Sequence, residues 1–254
     1  MDLCSIGKVG SRNLLKYLIQ LGNESLTDEF LEETKIYPLL NSMSAKCSKR
    51  PSPLLGDAIL YRLSTYSQVE IDTRMKQYKK VMFTRNPLDR FLSAWKDRFI
   101  DGDFPNYRKL GGTIIKNFRL NPTRREISQG KITLHEFFQY IDSLTTLSRI
   151  WDRHWRPMHE TCYPCAIDYD FIGSIEQVDD DTWEMGKLLT GRKDLPKILT
   201  MREPIPIEKD MRYIELKKIP RQLVERVMKY HYQRDYDLFG YNLTFDLQLV
   251  FGSQ

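Results

Sequence analysis

Cysteine and histidine are scarce in this 254-residue sequence, with four of each. The cysteines (Cys4, Cys47, Cys162, Cys165) are too few for a disulfide scaffold and do not by themselves fix the redox compartment. The histidines (His135, His154, His159, His231) leave a short choice of imidazoles for proton transfer. No apolar run reaches 18 residues, so the sequence holds no membrane-spanning helix. The opening Met1-Asp2-Leu3-Cys4-Ser5-Ile6 lacks the charged and apolar regions of a signal peptide. The chain starts almost inside its first strand, which raises the expectation that residues upstream have been lost. There is no internal repeat and no low-complexity tract. With 41% hydrophobic and 29% charged residues, the disordered class is excluded as well.

What is present is a positive balance. The net charge of +5 points to an anionic partner, without choosing between nucleotide, polysaccharide and nucleic acid. The length suits one α/β domain spanning residues 1–254.

Residues 2–6 read as a short strand, followed by the loop Gly7-Lys8-Val9-Gly10-Ser11-Arg12-Asn13. A helix comes next, with Leu14, Leu18 and Leu21 on one face and Gly22 as its stop. Residues 24–35 read as a second amphipathic helix, 41–53 as a loop and 67–78 as a helix. Gly111, Gly112, Asn121 and Pro122 bound a basic excursion over 113–125. A helix is expected over 134–147, a buried strand over 169–175, a helix over 179–190, a loop over 196–206 and a last substantial helix over 220–232. Strands alternating with helices predict a central parallel sheet flanked by helices on both faces, with ligands beyond the strand C-termini.

The segment from Lys79 to Trp95 is the most informative. A short apolar strand ends in Arg85, and a helix follows with Asn86 as N-cap and Pro87 in its first turn. Leu88, Phe91, Leu92 and Trp95 fall at i, i+3, i+4 and i+7, one buried face, with Arg90 and Ser93 off that stripe. A cation, a hydroxyl and a helix N-terminus converge as an anion site requires. The first loop resembles a P-loop but does not match G-x-x-x-x-G-K-[ST]. Its glycines let backbone N–H groups approach an anion, and Lys8 can reach a charged leaving group.

Two such sites suit one nucleotide with phosphates at both the 3′ and 5′ positions. Residues 4–18 and 79–99 resemble the two cofactor motifs of the Golgi carbohydrate sulfotransferases, in the branch of the chondroitin 4-sulfotransferases and the HNK-1 sulfotransferase. There the motifs read approximately C-x-x-P-K-V-[AG]-C-[ST]-N-W and R-[DE]-P-x-x-R-[LF]-x-S-A-[YW]. The likeness continues in order through residues 66–78, Gly112-Thr113-Ile114-Ile115-Lys116, His154-Trp155 and Cys162-Tyr163-Pro164-Cys165. It runs on through residues 169–176 to Asp237-Leu238-Phe239-Gly240-Tyr241.

The resemblance implies a P-loop-like sulfotransferase fold and 3′-phosphoadenosine 5′-phosphosulfate (PAPS) as sulfuryl donor, with no metal. It assigns Gly7, Lys8, Val9, Gly10, Ser11, Arg12 and Asn13 to the 5′-phosphosulfate. Arg85, Asn86, Pro87, Leu88, Asp89, Arg90, Phe91, Leu92 and Ser93 fall to the 3′-phosphate, with Arg85 and Ser93 in direct contact. The implied acceptor is a glycan rather than nucleic acid, and the implied place is the lumenal side of the Golgi membrane, through an anchor not in this sequence. Lys8 would serve the breaking S–O bond. His154, at the family's H-W position, is the favoured general base, with Glu32, Glu33 and Glu70 as alternatives.

Four departures stand out: Gly7 for proline, Ser11 for cysteine, Arg12 for Ser/Thr and Leu14 for tryptophan. Arg12 removes a hydroxyl, and Gly7 is expected to loosen the loop. These favour a rival reading as an inactive glycan- or nucleotide-binding relative. A second rival, a P-loop kinase, is opposed by the lysine spacing. His154, His159, Cys162 and Cys165 also have zinc-like spacing, though a lumenal disulfide involving Cys162 and Cys165 is the preferred expectation. Basic groups at Lys46/Lys49/Arg50 and Arg119/Arg124/Arg125 suit the steering of an anionic glycan or an ordinary solvated surface. The sequons at Asn23 and Asn242 matter only in a secretory lumen.

Overall fold

The computed structural model describes residues 2–4, 6–22, 66–144, 152–196 and 209–252. The expected helix over 24–35, the loops over 41–53 and 197–206, and Glu32, Glu33, Cys47 and Asn23 lie outside them. The chain divides into two units. One comprises residues 1–5, 10–83 and 168–202, the other residues 6–9, 84–167 and 203–254.

The first unit holds the sheet. Three strands, β1 (Asp2–Cys4), β2 (Lys80–Thr84) and β3 (Phe171–Ser174), are ordered β1-β2-β3. β1 and β2 are parallel, with Asp2 opposite Lys80, Leu3 opposite Val81 and Cys4 opposite Met82. Val81, Met82 and Phe83 are wholly buried, so β2 is a continuous apolar run rather than an alternating one, as a central strand requires. Gly173 admits the Phe83 ring, because a Cβ there would come within 2.7 Å of it. The helices Ser11–Gly22 and Val178–Thr190 meet where Tyr17 donates 2.8 Å to the Thr182 carbonyl. Gly186 makes room for that phenol. The Gln68–Gln77 helix starts in a reciprocal capping box between Ser67 and Glu70. The Glu70 carboxylate is thereby engaged, with its two hydrogen bonds from Ser67 holding its pKa below the usual value.

The second unit is helical among its described residues. Its centre is Phe91, stacked on Phe137 at 4.6 Å and tilted against Phe138 at 4.8 Å, with Tyr232 edge-on at 5.7 Å. The Pro87–Trp95, Leu134–Asp142 and Arg221–Phe239 helices meet around that ring. Tyr232 and Tyr236 lie in this core, whereas Tyr230 is exposed.

Two expectations fail here for physical reasons. The Gly111-Gly112 pair does not open a loop, because both residues sit inside a helix, Pro105–Phe118. A Cβ on Gly111 would lie 1.9 Å from the Gly130 carbonyl oxygen, and one on Gly112 would lie 2.6 Å from that of Ile127. The glycines thus serve backbone-to-backbone contact with the short Arg124–Gln129 helix and its C-cap. Nor is 220–232 the end of the helical part. That helix runs to Phe239, stopped by Gly240 at φ 72°, and a further helix follows over Leu243–Phe251. Exposed Asn242, the second sequon, caps it by accepting 3.0 Å from the Phe245 N–H.

Candidate functional site

The groups with chemistry in them lie in the second unit. Lys8 stands in a turn with φ 71°, a left-handed conformation that costs a lysine roughly 1–2 kcal/mol and so needs outside support. Two arginines, Arg85 before the Pro87–Trp95 helix and Arg90 within it, give it. Arg85 donates 3.1 Å to the Lys8 carbonyl, and Arg90 Nε donates 2.9 Å to the Gly7 carbonyl. Val9, buried, anchors the other side of the turn. The loop is therefore pinned, and the expected loosening by Gly7 is corrected. A Cβ at position 7 would meet the Arg153 carbonyl oxygen at 3.1 Å and the His154 Cα at 3.3 Å. Glycine at position 7 leaves the Arg153–His154 backbone a few tenths of an ångström more room against the loop than a side chain would.

Arg90 does not face solvent beside the apolar stripe as the helical spacing suggested. It is 1% exposed, and its guanidinium also donates 3.3 Å to the Arg153 carbonyl. Burial lowers its pKa, an effect opposed by nearby Tyr232 and Asp235, but a guanidinium remains charged. Arg90 thus ties residue 7 to residue 153.

The first-turn donors of the Pro87–Trp95 helix are also spent inside the fold. The Asn86 side chain accepts from the Asp89 N–H and donates to both Asp246 oxygens at 3.0 and 2.9 Å. The Leu88 N–H hydrogen-bonds to Tyr236, while Asp89 accepts from Tyr213 at 2.9 Å and pairs with Arg212 at 3.6 Å. Pro87, Leu88, Phe91 and Leu92 are packed. Arg85 and Ser93 are half-buried, Arg85 donating to the Lys8 carbonyl, and Ser93 makes no side-chain hydrogen bond among the described residues. Gly10 and Asn13 belong to the first unit, where the Asn13 N–H donates 2.9 Å to the Gly10 carbonyl at the start of the Ser11–Gly22 helix. The side chains of Ser11 and Arg12 lie outside the described residues.

After Trp95 the helix widens into a π-helical turn, Lys96–Asp101, an arrangement that re-aims side chains. It brings Asp97 to 3.3 Å from Lys8 Nζ. Burial lowers the Lys8 pKa, with Arg98 and Arg85 pushing the same way and Asp97 opposing. A lysine so placed gives up its proton more readily than one in water.

His154 is 5% exposed and held from one side. Its Nδ1 lies 2.6 Å from Asp152 Oδ1 and 2.9 Å from the Tyr107 hydroxyl, which itself donates 2.7 Å to Asp152 Oδ2. With the Tyr107 proton committed to the carboxylate, the Nδ1 proton points to Asp152 and the lone pair falls on Nε2. The Cδ2 atom, adjacent to Nε2 in the ring, lies 3.4 Å from the position of a Cβ on Gly7, so that edge borders the Lys8 turn. Burial pushes the imidazole below its ordinary pKa, Asp152 opposes this, and Arg98 and Arg153 add to it. Asp152 is itself raised by burial, but hydrogen bonds from His154 and Tyr107 outweigh that and hold it low. His154 is thus neutral at pH 7, with its basic nitrogen uncommitted among the described residues, the state a general base requires.

Sequence reasoning named Lys8, Arg85, Ser93 and His154 but missed Asp97, Arg98, Tyr107 and Asp152. Asp152, two residues before His154, carried a legible signal. Tyr107 carried none.

The zinc-like spacing is used otherwise. His154 is bound to Asp152, and His159 Nδ1 lies 2.6 Å from the buried Asp235. Cys162 is disulfide-bonded, as is Cys4. Among the described residues no group of three or more His, Cys, Asp or Glu could hold a metal ion. The expected participation of Cys165 in a disulfide is corrected, because its thiol is free and exposed. Cys162 is buried at the end of the Met158–Cys162 helix, and Tyr163 at φ 49° turns the chain outward before Cys165.

Comparison with known proteins agrees with the motifs. The chain belongs to the sulfotransferase family, whose model matches residues 1–242. Carbohydrate sulfotransferase 14 of Danio rerio is 32% identical over 192 residues, 73% of this chain and 50% of that protein. Carbohydrate sulfotransferase 11 of Rattus norvegicus is 34% identical over 128 residues, 49% of this chain and 36% of that protein. Carbohydrate sulfotransferase 8 of Homo sapiens is 30% identical over 180 residues, 70% of this chain and 38% of that protein. The chain spans half the length or less of these relatives. No solved structure matches it.

Proposed function

We propose that this chain is the catalytic domain, residues 1–254, of a carbohydrate O-sulfotransferase. It uses PAPS as donor and a glycan hydroxyl as acceptor, with N-acetylgalactosamine of chondroitin or a related glycan as the preferred sugar. The observation that carries this is the pairing of a neutral, Asp152-backed His154 with a burial-activated Lys8, joined through Gly7 and Arg90 in one unit.

PAPS supplies an activated sulfuryl group whose departure breaks an S–O bond to phosphate. His154 Nε2 takes the proton of the acceptor hydroxyl as that oxygen bonds to sulfur. Lys8 faces the negative charge left on the phosphate oxygen, neutralising it or giving it a proton. Arg85 and Ser93 hold the 3′-phosphate, for which a planar guanidinium and an unengaged hydroxyl are suited. In this assignment Arg90, Asn86 and Asp89 build the site without touching the ligand. The family relationship supports a Golgi lumenal setting at the membrane, and the disulfide bonding of Cys4 and Cys162 suits an oxidising lumen.

Titration of the wild-type chain with 3′-phosphoadenosine 5′-phosphate, PAPS and ATP tests the donor site. Selective binding of the two 3′-phosphorylated nucleotides is expected, whereas preference for ATP would revive the kinase reading. Arg85→Ala should weaken that binding by about tenfold to a hundredfold, the worth of a charge-assisted hydrogen bond, while lowering the melting temperature less than Arg90→Ala does, since Arg85 is half-buried and Arg90 wholly buried. Arg90→Ala should act mainly on the fold and lower the melting temperature, since it leaves the Gly7 and Arg153 carbonyls without their donor. Equal effects of the two on binding would contradict the division of roles.

A further inference from the structure

The positive charge of the chain is not spread evenly. Residues 105–131 contain seven Lys/Arg (Arg108, Lys109, Lys116, Arg119, Arg124, Arg125, Lys131) and one acid, Glu126, a net +6 against +5 for all 254 residues. The acid is spent, because Glu126 accepts from Arg119 at 3.0 Å and from Thr123 in a capping box.

These residues also form a groove. A depression of about 440 Å3 lies between the Pro105–Phe118 and Arg124–Gln129 helices, lined among others by Arg108, Lys109, Thr113, Lys116, Ile127 and Ser128. Gly112, where the two helices approach closely, lines it as well. Lys109, Lys116, Arg124 and Arg125 are exposed, and none of them has a carboxylate partner among the described residues. Arg108 has only the exposed Asp103 at 3.2 Å. Arg124 stands one turn before Ile127 and Ser128, on the same helical face. The hydroxyls on the walls donate within their own helices, Thr113 to the Lys109 carbonyl at 3.2 Å and Ser128 to that of Arg125 at 2.8 Å. Recognition here is therefore by charge rather than by directed hydrogen bonds, which suits a repeating polymer in more than one register.

We propose that this groove binds the stretch of an anionic polysaccharide that flanks the acceptor sugar, through its uronate or sulfate groups. The inference rests on the sulfotransferase reading, and the geometry gives it direction. Tyr107, which touches His154, lies on the same helix immediately before Arg108, and Lys116 lies about 14 Å further along that axis. Arg108 stands about 100° round the helix from Tyr107 and Lys109 and Lys116 about 180–200° round, so a chain with one sugar at His154 reaches these cations by crossing over the Arg108 side of the helix.

The test is equilibrium binding, which needs no turnover. Wild type and the double charge reversal Lys109→Glu/Lys116→Glu are titrated with a desulfated chondroitin decasaccharide, with the same oligosaccharide after carboxyl reduction, and with duplex DNA of matched charge. The reversal should weaken binding of the uronate form by about tenfold or more, as loss of two rim cations implies, with melting temperature and PAPS affinity unchanged. The carboxyl-reduced form should bind both proteins equally weakly. Unaltered binding of the uronate form by the variant overturns the proposal while leaving the transferase reading intact. So does equal affinity for DNA with the same salt dependence, which would make the groove a general polyanion surface. Failure of transfer with groove binding retained would instead count against the transferase reading alone.

Discussion

Replacing His154 with glutamine is expected to lower the rate of sulfuryl transfer by about a hundredfold to ten-thousandfold, the usual worth of a positioned base, with PAPS affinity unchanged. The reasoning is geometric. Asp152 and Tyr107 hold Nδ1, so the only basic atom is Nε2, on the ring edge beside the Lys8 turn. The sign of the pH dependence follows from burial. Because burial lowers the imidazole pKa, His154 stays neutral through pH 7, and the acid limb of the rate profile should lie below the ordinary histidine value of about 6.5. Asp152 works in the opposite direction, so Asp152→Asn should move that limb lower still. Stability follows the same sign. The folded state binds the proton less tightly than the unfolded one, so the contribution of this site falls as pH drops through the ordinary histidine value. A His154→Gln variant that keeps its rate would remove His154 from the chemistry.

Lys8→Ala is expected to cost about a hundredfold to a thousandfold in kcat, the scale for losing one group aimed at developing charge. The melting temperature should barely move. The Lys8–Asp97 pair is partly exposed, at 19% and 39% of the two side chains, and such pairs contribute about 0–1 kcal/mol. The left-handed backbone at residue 8 is held by hydrogen bonds to main-chain carbonyls, which the substitution leaves in place. Since burial lowers the Lys8 pKa, the wild-type rate should also fall on the alkaline side, below the ordinary lysine value of about 10.4. That limb should be absent from whatever activity the alanine variant retains. Loss of folding rather than of rate would show Lys8 to be a structural residue.

Local chemistry explains which parts of this fold were legible in the sequence. Asn86, Pro87 and the Leu88/Phe91/Leu92/Trp95 spacing carry their own instructions, and the helix begins where they say. The apolar run ending at Thr84 likewise reads as a buried strand. Arg90 was misread because its partners, the carbonyls of Gly7 and Arg153, lie 83 and 63 residues away and leave no periodic trace. Gly111 and Gly112 were misread because a glycine demanded by a crossing helix looks in sequence like one demanded by a turn. In the site itself, Lys8, Arg85, Ser93 and His154 were named through motif resemblance. Of the groups that tune them, Asp97 and Arg98 arrive through a π-helical turn and Tyr107 through the next helix, 47 residues before His154, and only Asp152 stands close to its partner in sequence. The Gly7 departure changes meaning for the same reason. Alone it suggests a loose loop, but next to Arg153 and His154 it is a close contact.

The central claim is that the chain moves a sulfuryl group from PAPS to a sugar hydroxyl. Incubating the wild-type protein with sulfur-labelled PAPS and a panel of desulfated glycosaminoglycans and glycoprotein glycans measures this directly. Label is expected in an N-acetylgalactosamine-containing glycan, lost in His154→Gln and Lys8→Ala. Binding of PAPS with no label in any acceptor would contradict the account and leave an inactive nucleotide- or glycan-binding relative in its place.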